Sequence, residues 1–419
     1  MKLQGSPQSL RKSCTVPFVE QPARAHTSSA PVALVGAPGP HRVPGRVPGA
    51  QLGALGAALA ADPRARRFLE ENLGSATVGS LVVLFAHRKT TVFGDRACTR
   101  VVKFVHCNSP RITRRIFEGE VRASRVLRAC RDPGLPTNFA IYQNPSLGLH
   151  AISMPHCGSD AVALLNETKT WDVRLLILLV EQGYSALREL HLHQLAHRDI
   201  KPDNFAFRDN QWRIIDFGLS GDLRPGRGMA AGTLPYLLPS LGLARAQRVV
   251  EGKDHNLPLP FSRRVADIFA FGLTVLTTFR LFQLGSCDKC LEHGRGCAFC
   301  RRGGLYTSLH IEDIYALLHV DGAGFGMPEN WVLTAKTEQA RSDQRLRTTD
   351  YILLCAQIVL SQVDVRRKFL HWDPRTLSCT YSAAANRAFD LGVEKKRARD
   401  ALRIWDHDLP FVIAQLKAF

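Results

Sequence analysis

The stretch HRDIKPDNFAF, His197 to Phe207, places Asp199, Lys201 and Asn204 close together between two apolar runs. Pro202, Asp203 and Asn204 are all turn formers, so a solvated turn would account for the composition. The same residue types also suit phosphoryl transfer. That chemistry asks for a carboxylate near the nucleophile, a cation near the phosphate and an oxygen ligand for a metal ion. Downstream, RIIDFGLSGD carries Asp216 after an apolar strand and before Gly218. Two short strands flanking FRDNQW would bring Asp199, Asn204 and Asp216 to one mouth.

Those residues need elements to position them. Upstream, LGSATVGSLVV (Leu73 to Val83) reads as a glycine-bearing strand-turn-strand, able to lay backbone N–H groups over phosphates. Lys103, in RVVKFV, would project from the strand that follows. An acid on the next helix, Glu120 or Glu118, would hold that lysine by an ion pair. Strand-like runs up to about Met154 give way to mostly helical sequence beyond Asp160. The fold class is therefore α+β, bilobal, with a small β-rich lobe ahead of a larger helical one.

The chain of 419 residues is long enough for a large core, and 45% hydrophobic with 22% charged residues is ordinary for a globular protein. A net charge of +18 is not ordinary and points to acidic partners. Basic residues are spread along the chain and aromatics make up only 8%, so direct nucleic-acid binding is not expected. The first residues lack the apolar core of a secretory signal. LLILLV (Leu175 to Val180) is too short to span a bilayer. Eleven cysteines without such a signal favour a reducing, intracellular and soluble setting, nuclear or cytoplasmic. KKRAR, near the C-terminus, reads as a solvated helix face, with nuclear import as the alternative.

Residues 1–62, rich in Pro, Ala, Gly and Arg, read as a disordered basic tail. Residues 63–154 form the first lobe and 155–419 the second, which carries a Cys-rich insertion at about 285–303. There Cys287, Cys290, Cys297 and Cys300 form C-x2-C-x6-C-x2-C, a spacing able to close a structural Zn2+ site, though free thiols in a basic loop fit it too.

HRDIKPDN, DFG, GTLPYLLP and ADIFAFG, in that order, resemble the eukaryotic-type protein kinase family of the Ser/Thr branch, over roughly Asn72 to Leu377. KPDNF with IIDFGL is similar to the casein kinase one group, which the remainder does not follow closely. The Arg/Ala/Pro/Gly skew and compact motifs look somewhat like kinases of large DNA viruses. The resemblance implies that ATP and Mg2+ are the cofactors and proteins bearing Ser or Thr the substrates. It casts Asp199 as the residue that orients the substrate hydroxyl, Lys201 as the contact to the γ-phosphate, and Thr233 as the threonine that bonds both. Asn204 and Asp216 would hold Mg2+. Lys103 would bind the α- and β-phosphates, with Glu120 as partner. Gly74, Gly79 and Leu81 would lie over the nucleotide, Met154 at the gatekeeper position, Pro155 to Cys157 in the hinge and Asp160 at the ribose. Asp267 would anchor the catalytic-loop backbone.

Four departures stand out. Ala76 replaces the middle glycine. The stretch from Leu81 to Lys103 is long, which implies an insertion between the first strands. Ser124 sits one turn after Glu120, where an apolar residue is usual. Leu238, Pro239 and Ser240 replace Ala-Pro-Glu, and its usual arginine partner falls near Leu377, so both ends of a buried ion pair are lost together. Two other functions carry the same fold: a pseudokinase-type scaffold and a small-molecule phosphotransferase. Keeping Lys103, Asp199, Asn204 and Asp216 together argues against the first. Lys201, Thr233 and GTLPYLLP argue against the second.

Overall fold

The computed structural model describes residues 61–74, 82–87, 90–94, 99–105, 110–144, 146, 149–167, 170–223, 231–233, 236–238, 241, 263–279, 331–362, 370–373, 378–381 and 391–417. Gly79, Leu81, the four cysteines at 287, 290, 297 and 300, and the tail up to residue 60 lie outside them, as do positions 239, 240 and 377.

Segments rich in β-branched and aromatic residues become strands, as their fit to a pleated, half-buried surface favours. They are β1 (Val82–His87), β2 (Thr90–Gly94), β3 (Arg100–Val105), β4 (Ala140–Asn144) and β5 (Leu149–Pro155). These pair antiparallel as a five-stranded sheet in the order β1-β2-β3-β5-β4. Alternation along β3 sends Val102 and Phe104 to one face of the sheet and Val101 to the other, because successive side chains on a strand point oppositely.

Helix α1 (Pro63–Leu73) covers the first face. Its Ala65, Phe68, Leu69 and Leu73 pack with Phe93, Val102, Phe104, Leu149 and Ala151. Each fully buried Phe or Leu here contributes about 1.5–3 kcal/mol relative to exposure. Asp62 starts the helix, accepting from the N–H groups of Arg64 (3.0 Å) and Ala65 (3.3 Å), and also accepts from the Tyr142 hydroxyl and from Asn144 Nδ2. Helix α2 (Pro110–Leu127) lies against the other face, with Phe117 stacked on His150 of β5 at 4.6 Å between ring centres.

Gly74 corrects the expectation that it opens a phosphate-binding turn. It is the C-cap of α1, at φ 69, with its N–H donating to Glu70 O. Only glycine takes that left-handed position without strain, so it serves to end a helix. The first two strands likewise have no insertion between them. β1 pairs directly with β2, His87 opposite Thr90, with only Arg88 and Lys89 between them.

The helical half is built on α4 (Val173–Leu192), which follows the short strands β6 (Ser159–Asp160) and β7 (Trp171–Asp172) and helix α3 (Ala161–Glu167). LLILLV belongs to α4, where Leu176, Ile177, Leu179 and Val180 are buried. Helices α5 (Arg263–Thr278) and α6 (Glu338–Gln362) pack with it, α7 (Leu391–Arg403) and α8 (Leu409–Lys417) pack on α6, and Trp405 inserts between Tyr184 and Phe271. Buried Glu181 of α4 accepts from Arg347 Nη2 (2.7 Å) and the Tyr351 hydroxyl (2.8 Å) of α6. Lys395, Lys396 and Arg399 of KKRAR are exposed on α7 while Ala398 is buried. No helix among the described residues is long and apolar enough to cross a membrane.

Between the halves run β8 (Leu195–Ala196), β9 (Phe205–Arg208), β10 (Gln211–Ile214) and β11 (Gly221–Asp222). β9 and β10 form the hairpin expected around FRDNQW. Its turn residues Asp209 (φ 54) and Asn210 (φ 59) take the left-handed conformation that short polar side chains tolerate best.

Candidate active site

Lys103 leaves β3 on the side that faces α2, and its Nζ donates to Glu120 Oε1 at 2.6 Å and to Asp216 Oδ1 at 2.5 Å. Lys103 and Glu120 are buried, whereas the Asp216 side chain keeps 47% of its surface open. Burial alone would lower the Lys103 ammonium; the charges of Asp216 and Glu120 outweigh it and raise the group. Burial pushes the Glu120 carboxyl up, against the pull of Lys103. The Lys103 ammonium, with His197 and Lys201, holds the Asp216 carboxyl well below the usual range. The site therefore presents a fixed cation beside an ionised, solvent-facing carboxylate. Glu118, the alternative partner, instead accepts from Arg114 on the exposed face of α2.

Asp199, Lys201, Asn204 and Thr233 converge on a second cluster. Asp199 Oδ1 accepts from Thr233 N (2.7 Å) and Thr233 Oγ1 (2.8 Å). Lys201 Nζ donates to Thr233 Oγ1 at 2.9 Å and stands 3.6 Å from Asp199 Oδ2. Asn204 Nδ2 donates to the Asp199 carbonyl at 2.7 Å and to its Oδ2 at 3.2 Å. With its NH2 group committed, Asn204 has only its amide oxygen to offer a ligand. That oxygen and the Asp216 carboxylate are the hard donors Mg2+ prefers.

Backbone bonds join the two clusters. Ile215 N donates to Asn204 O at 2.9 Å, and buried His197 meets Ile215 O through Nε2 at 3.0 Å. Asp267, 1% exposed on α5, accepts from His197 N (2.8 Å) and Arg198 N (2.7 Å), with His191 Nε2 at 3.0 Å. Arg198 (φ 71) and Asp216 (φ 63) both have left-handed backbones. That conformation is rare for such residues and persists only where the surroundings hold it, here through these backbone bonds. Arg198 is lowered to about 10 by burial and by the charges of Arg263, Arg115 and Arg122.

At the nucleotide-facing rim implied by the resemblance, Met154 and Cys157 are both buried, at the end of β5 and just beyond it. Burial pushes the Cys157 thiol up to about 11. Asp160 Oδ1 accepts from Ala163 N at 2.8 Å, so this side chain caps α3. Burial raises its carboxyl. Ser124, in the place of an apolar residue, is buried and donates to Val121 O at 2.9 Å, which satisfies its hydroxyl within the helix.

Two residues of this site escape sequence reasoning. Gly119 lets α2 approach the backbone of Gly218, and buried Ser220 donates through Oγ to Gly119 O at 3.1 Å. A glycine in the middle of an amphipathic helix was the available signal, because it is unfavourable there without a packing reason.

A five-stranded sheet with a helix-borne Glu–Lys pair, set over a helical half that holds Asp199, Asn204 and Asp216, is the arrangement of a protein kinase. Residues 124–278, just over a third of the chain, match the family described as protein kinase domain. It is 34% identical over 126 residues to the inhibitor of nuclear factor kappa-B kinase subunit alpha of Gallus gallus, covering 28% of this chain and 16% of that protein. It is 32% identical over 134 residues to a serine/threonine-protein kinase-like protein of Arabidopsis thaliana, covering 31% of this chain and 32% of the relative. With mitogen-activated protein kinase kinase 8 of Arabidopsis thaliana the identity is 29% over 160 residues, 37% of this chain and 48% of the relative. The chain thus spans less than half the length of each of these relatives.

Proposed function

We propose that this chain is an active Ser/Thr protein kinase that transfers the γ-phosphate of ATP to protein hydroxyls. The observation that carries the reading is the bonding of Asp199 Oδ1 by both the N–H and the hydroxyl of Thr233, with Lys201 on the same hydroxyl. Asp199 Oδ2, which takes only a long bond from Asn204 Nδ2, is then the oxygen that orients an incoming hydroxyl and accepts its proton. Lys201 neutralises charge at the transferred phosphate. Lys103, kept cationic and held by Glu120, binds the α- and β-phosphates. Met154, Cys157 and Asp160 flank the nucleotide. Asn204 and Asp216 would hold Mg2+, which when bound supplies charge neutralisation along the phosphates.

The small-molecule alternative is disfavoured by the Thr233 bridge, which ties the catalytic aspartate to the segment entering GTLPYLLP. The scaffold alternative is disfavoured by two ionisable clusters kept in bonding order at the cost of burying Lys103 and Glu120. A structural zinc ion on Cys287, Cys290, Cys297 and Cys300 belongs to the same proposal, as do acidic partners, attracted by the net charge of +18, and residence in the nucleus or cytoplasm. The test is a peptide-library reaction with labelled ATP and magnesium, run on wild type and Asp199→Ala. The variant should bind ATP nearly as wild type and lose transfer by roughly 100-fold or more. Unchanged turnover would remove Asp199 from the mechanism. Phosphate appearing only on small-molecule acceptors would establish the alternative.

A further inference from the structure

Away from the active site, the link that follows α2 meets the last turns of α4. Cys130 N donates to Leu127 O at 3.2 Å, a turn that directs the residue toward α4. On α4, Glu189 and His193 are four residues apart and share one face of the helix, as that spacing requires. His193 also ends the helix, its N–H donating to Glu189 O. One ligand atom each from Cys130, Glu189 and His193 lie within 4.8 Å of one another. Glu189 Oε1 stands 3.4 Å from His193 Nε2. Donor atoms around a tetrahedral Zn2+, with bonds of about 2.0–2.3 Å, stand roughly 3.3–3.7 Å apart.

We propose that Cys130, Glu189 and His193 form a three-ligand site for a zinc-type divalent transition metal, which clips the α2–β4 link to the helix that leads into the catalytic loop. A thiol, an imidazole and a carboxylate from two separate elements suit zinc rather than magnesium or calcium. An exposed His–Glu pair at this helical spacing is commonplace by itself; the buried sulfur opposite it is not. Arg131 N donates to Glu189 Oε1 at 3.2 Å and so steadies that carboxylate. Burial pushes the Cys130 thiol up to about 11, with the charges of Glu189 and Asp132 adding to the effect. Without metal the group is therefore a neutral thiol, its Sγ 3.6 Å from Val126 O. Binding exchanges the S–H proton, released to solvent, for the cation, and the negative surroundings that disfavour a bare thiolate favour that exchange. The His193 and Glu189 side chains are 34% and 25% exposed, which gives the ion a way in and leaves a fourth position for water.

The consequence is mechanical. α2 carries Glu120, and α4 carries His191, which bonds Asp267. A metal at Cys130 would hold the C-terminal end of α2 at a set distance from the helix that precedes Asp199. The proposal does not depend on the kinase reading, and it is separate from the Cys287–Cys300 cluster.

Chelator-stripped full-length protein would be titrated with Co2+ as the spectroscopic stand-in for zinc, alongside Cys130→Ser and His193→Gln. Each variant should bind one equivalent fewer than wild type, and Cys130→Ser should lose the matching share of sulfur-to-cobalt absorption. His193 sits at the solvent-facing end of α4, so its variant carries the test if Cys130→Ser fails to fold. Wild-type stoichiometry in a folded variant of either residue overturns the three-ligand site, as does a wild-type protein that binds no Co2+.

Discussion

Gly119 of α2 and Gly218 of the DFG segment touch backbone to backbone: a Cβ on Gly119 would lie 2.9 Å from the Gly218 carbonyl carbon and closer still to its oxygen. A Cβ on Gly218 would in turn meet the Ile116 side chain of α2, with Cγ2 at 2.8 Å. Because Glu120 is the next residue, this contact sets how near its carboxylate comes to Lys103. Gly119→Ala should push α2 outward, and overpacking of this kind costs about 1–3 kcal/mol. If the cost falls on the active arrangement, turnover drops about tenfold for each 1.4 kcal/mol. Steady-state kinetics check it: kcat should fall and KM for ATP rise. A variant with wild-type kinetics would show that α2 has room to spare.

The loop from Asp216 to Thr233 has no Ser, Thr or Tyr between Ser220 and Thr233. Both end residues are already engaged, Ser220 buried and bonded to Gly119 O, Thr233 bonded to Asp199 and Lys201. Activity should therefore be independent of phosphorylation in this loop. Phosphatase-treated enzyme is expected to keep its full rate. A large loss, mapped by mass spectrometry to Ser220 or Thr233, would overturn the prediction.

His150 is 7% exposed against Phe117, with Nδ1 unpartnered, and burial lowers its pKa. Because the folded state disfavours the imidazolium, the unfolded chain takes up more protons as pH falls past the ordinary value of about 6.5. The stability His150 contributes is thus fully present above that pH and is lost on acidification. Melting curves between pH 8 and pH 5 should fall less steeply for His150→Leu than for wild type. Parallel curves would mean that His150 does not titrate in this range.

Asp62 caps α1 and accepts from Tyr142 and Asn144 of β4. Asp62→Ala removes the cap, worth about 0.5–2 kcal/mol, and takes a partner from two β4 donors. Denaturant titration should show a lower midpoint, with Asp62→Asn closer to wild type because its amide oxygen still caps. Equal midpoints for all three would indicate that α1 contributes little to the sheet it covers.

The closeness of Asp199, Asn204 and Asp216 was legible from sequence because local chain geometry places them. Asn204 follows Asp199 around one short turn, and Asp209-Asn210 closes a hairpin that returns the chain to Asp216, so spacing alone brings the three to one mouth. Asp267 and Thr233 were legible through family resemblance, since nothing local ties them to Asp199. Helix register was not: Glu118 and Glu120 differ by two positions, and only the packing of α2 on the sheet turns Glu120 to Lys103 and leaves Glu118 with Arg114. Gly74 was misread because a glycine between apolar residues suits a loop over phosphates and a helix C-cap equally well. The choice was made by α1, whose apolar face had a sheet to cover, and by Asp62, whose hydrogen bonds to Tyr142 and Asn144 come from residues far along the chain. Contacts between distant segments, such as Gly119 on Gly218 or Cys130 beside Glu189 and His193, have no periodicity or spacing to announce them. They exist because close packing of helices and strands leaves each backbone only one place to lie.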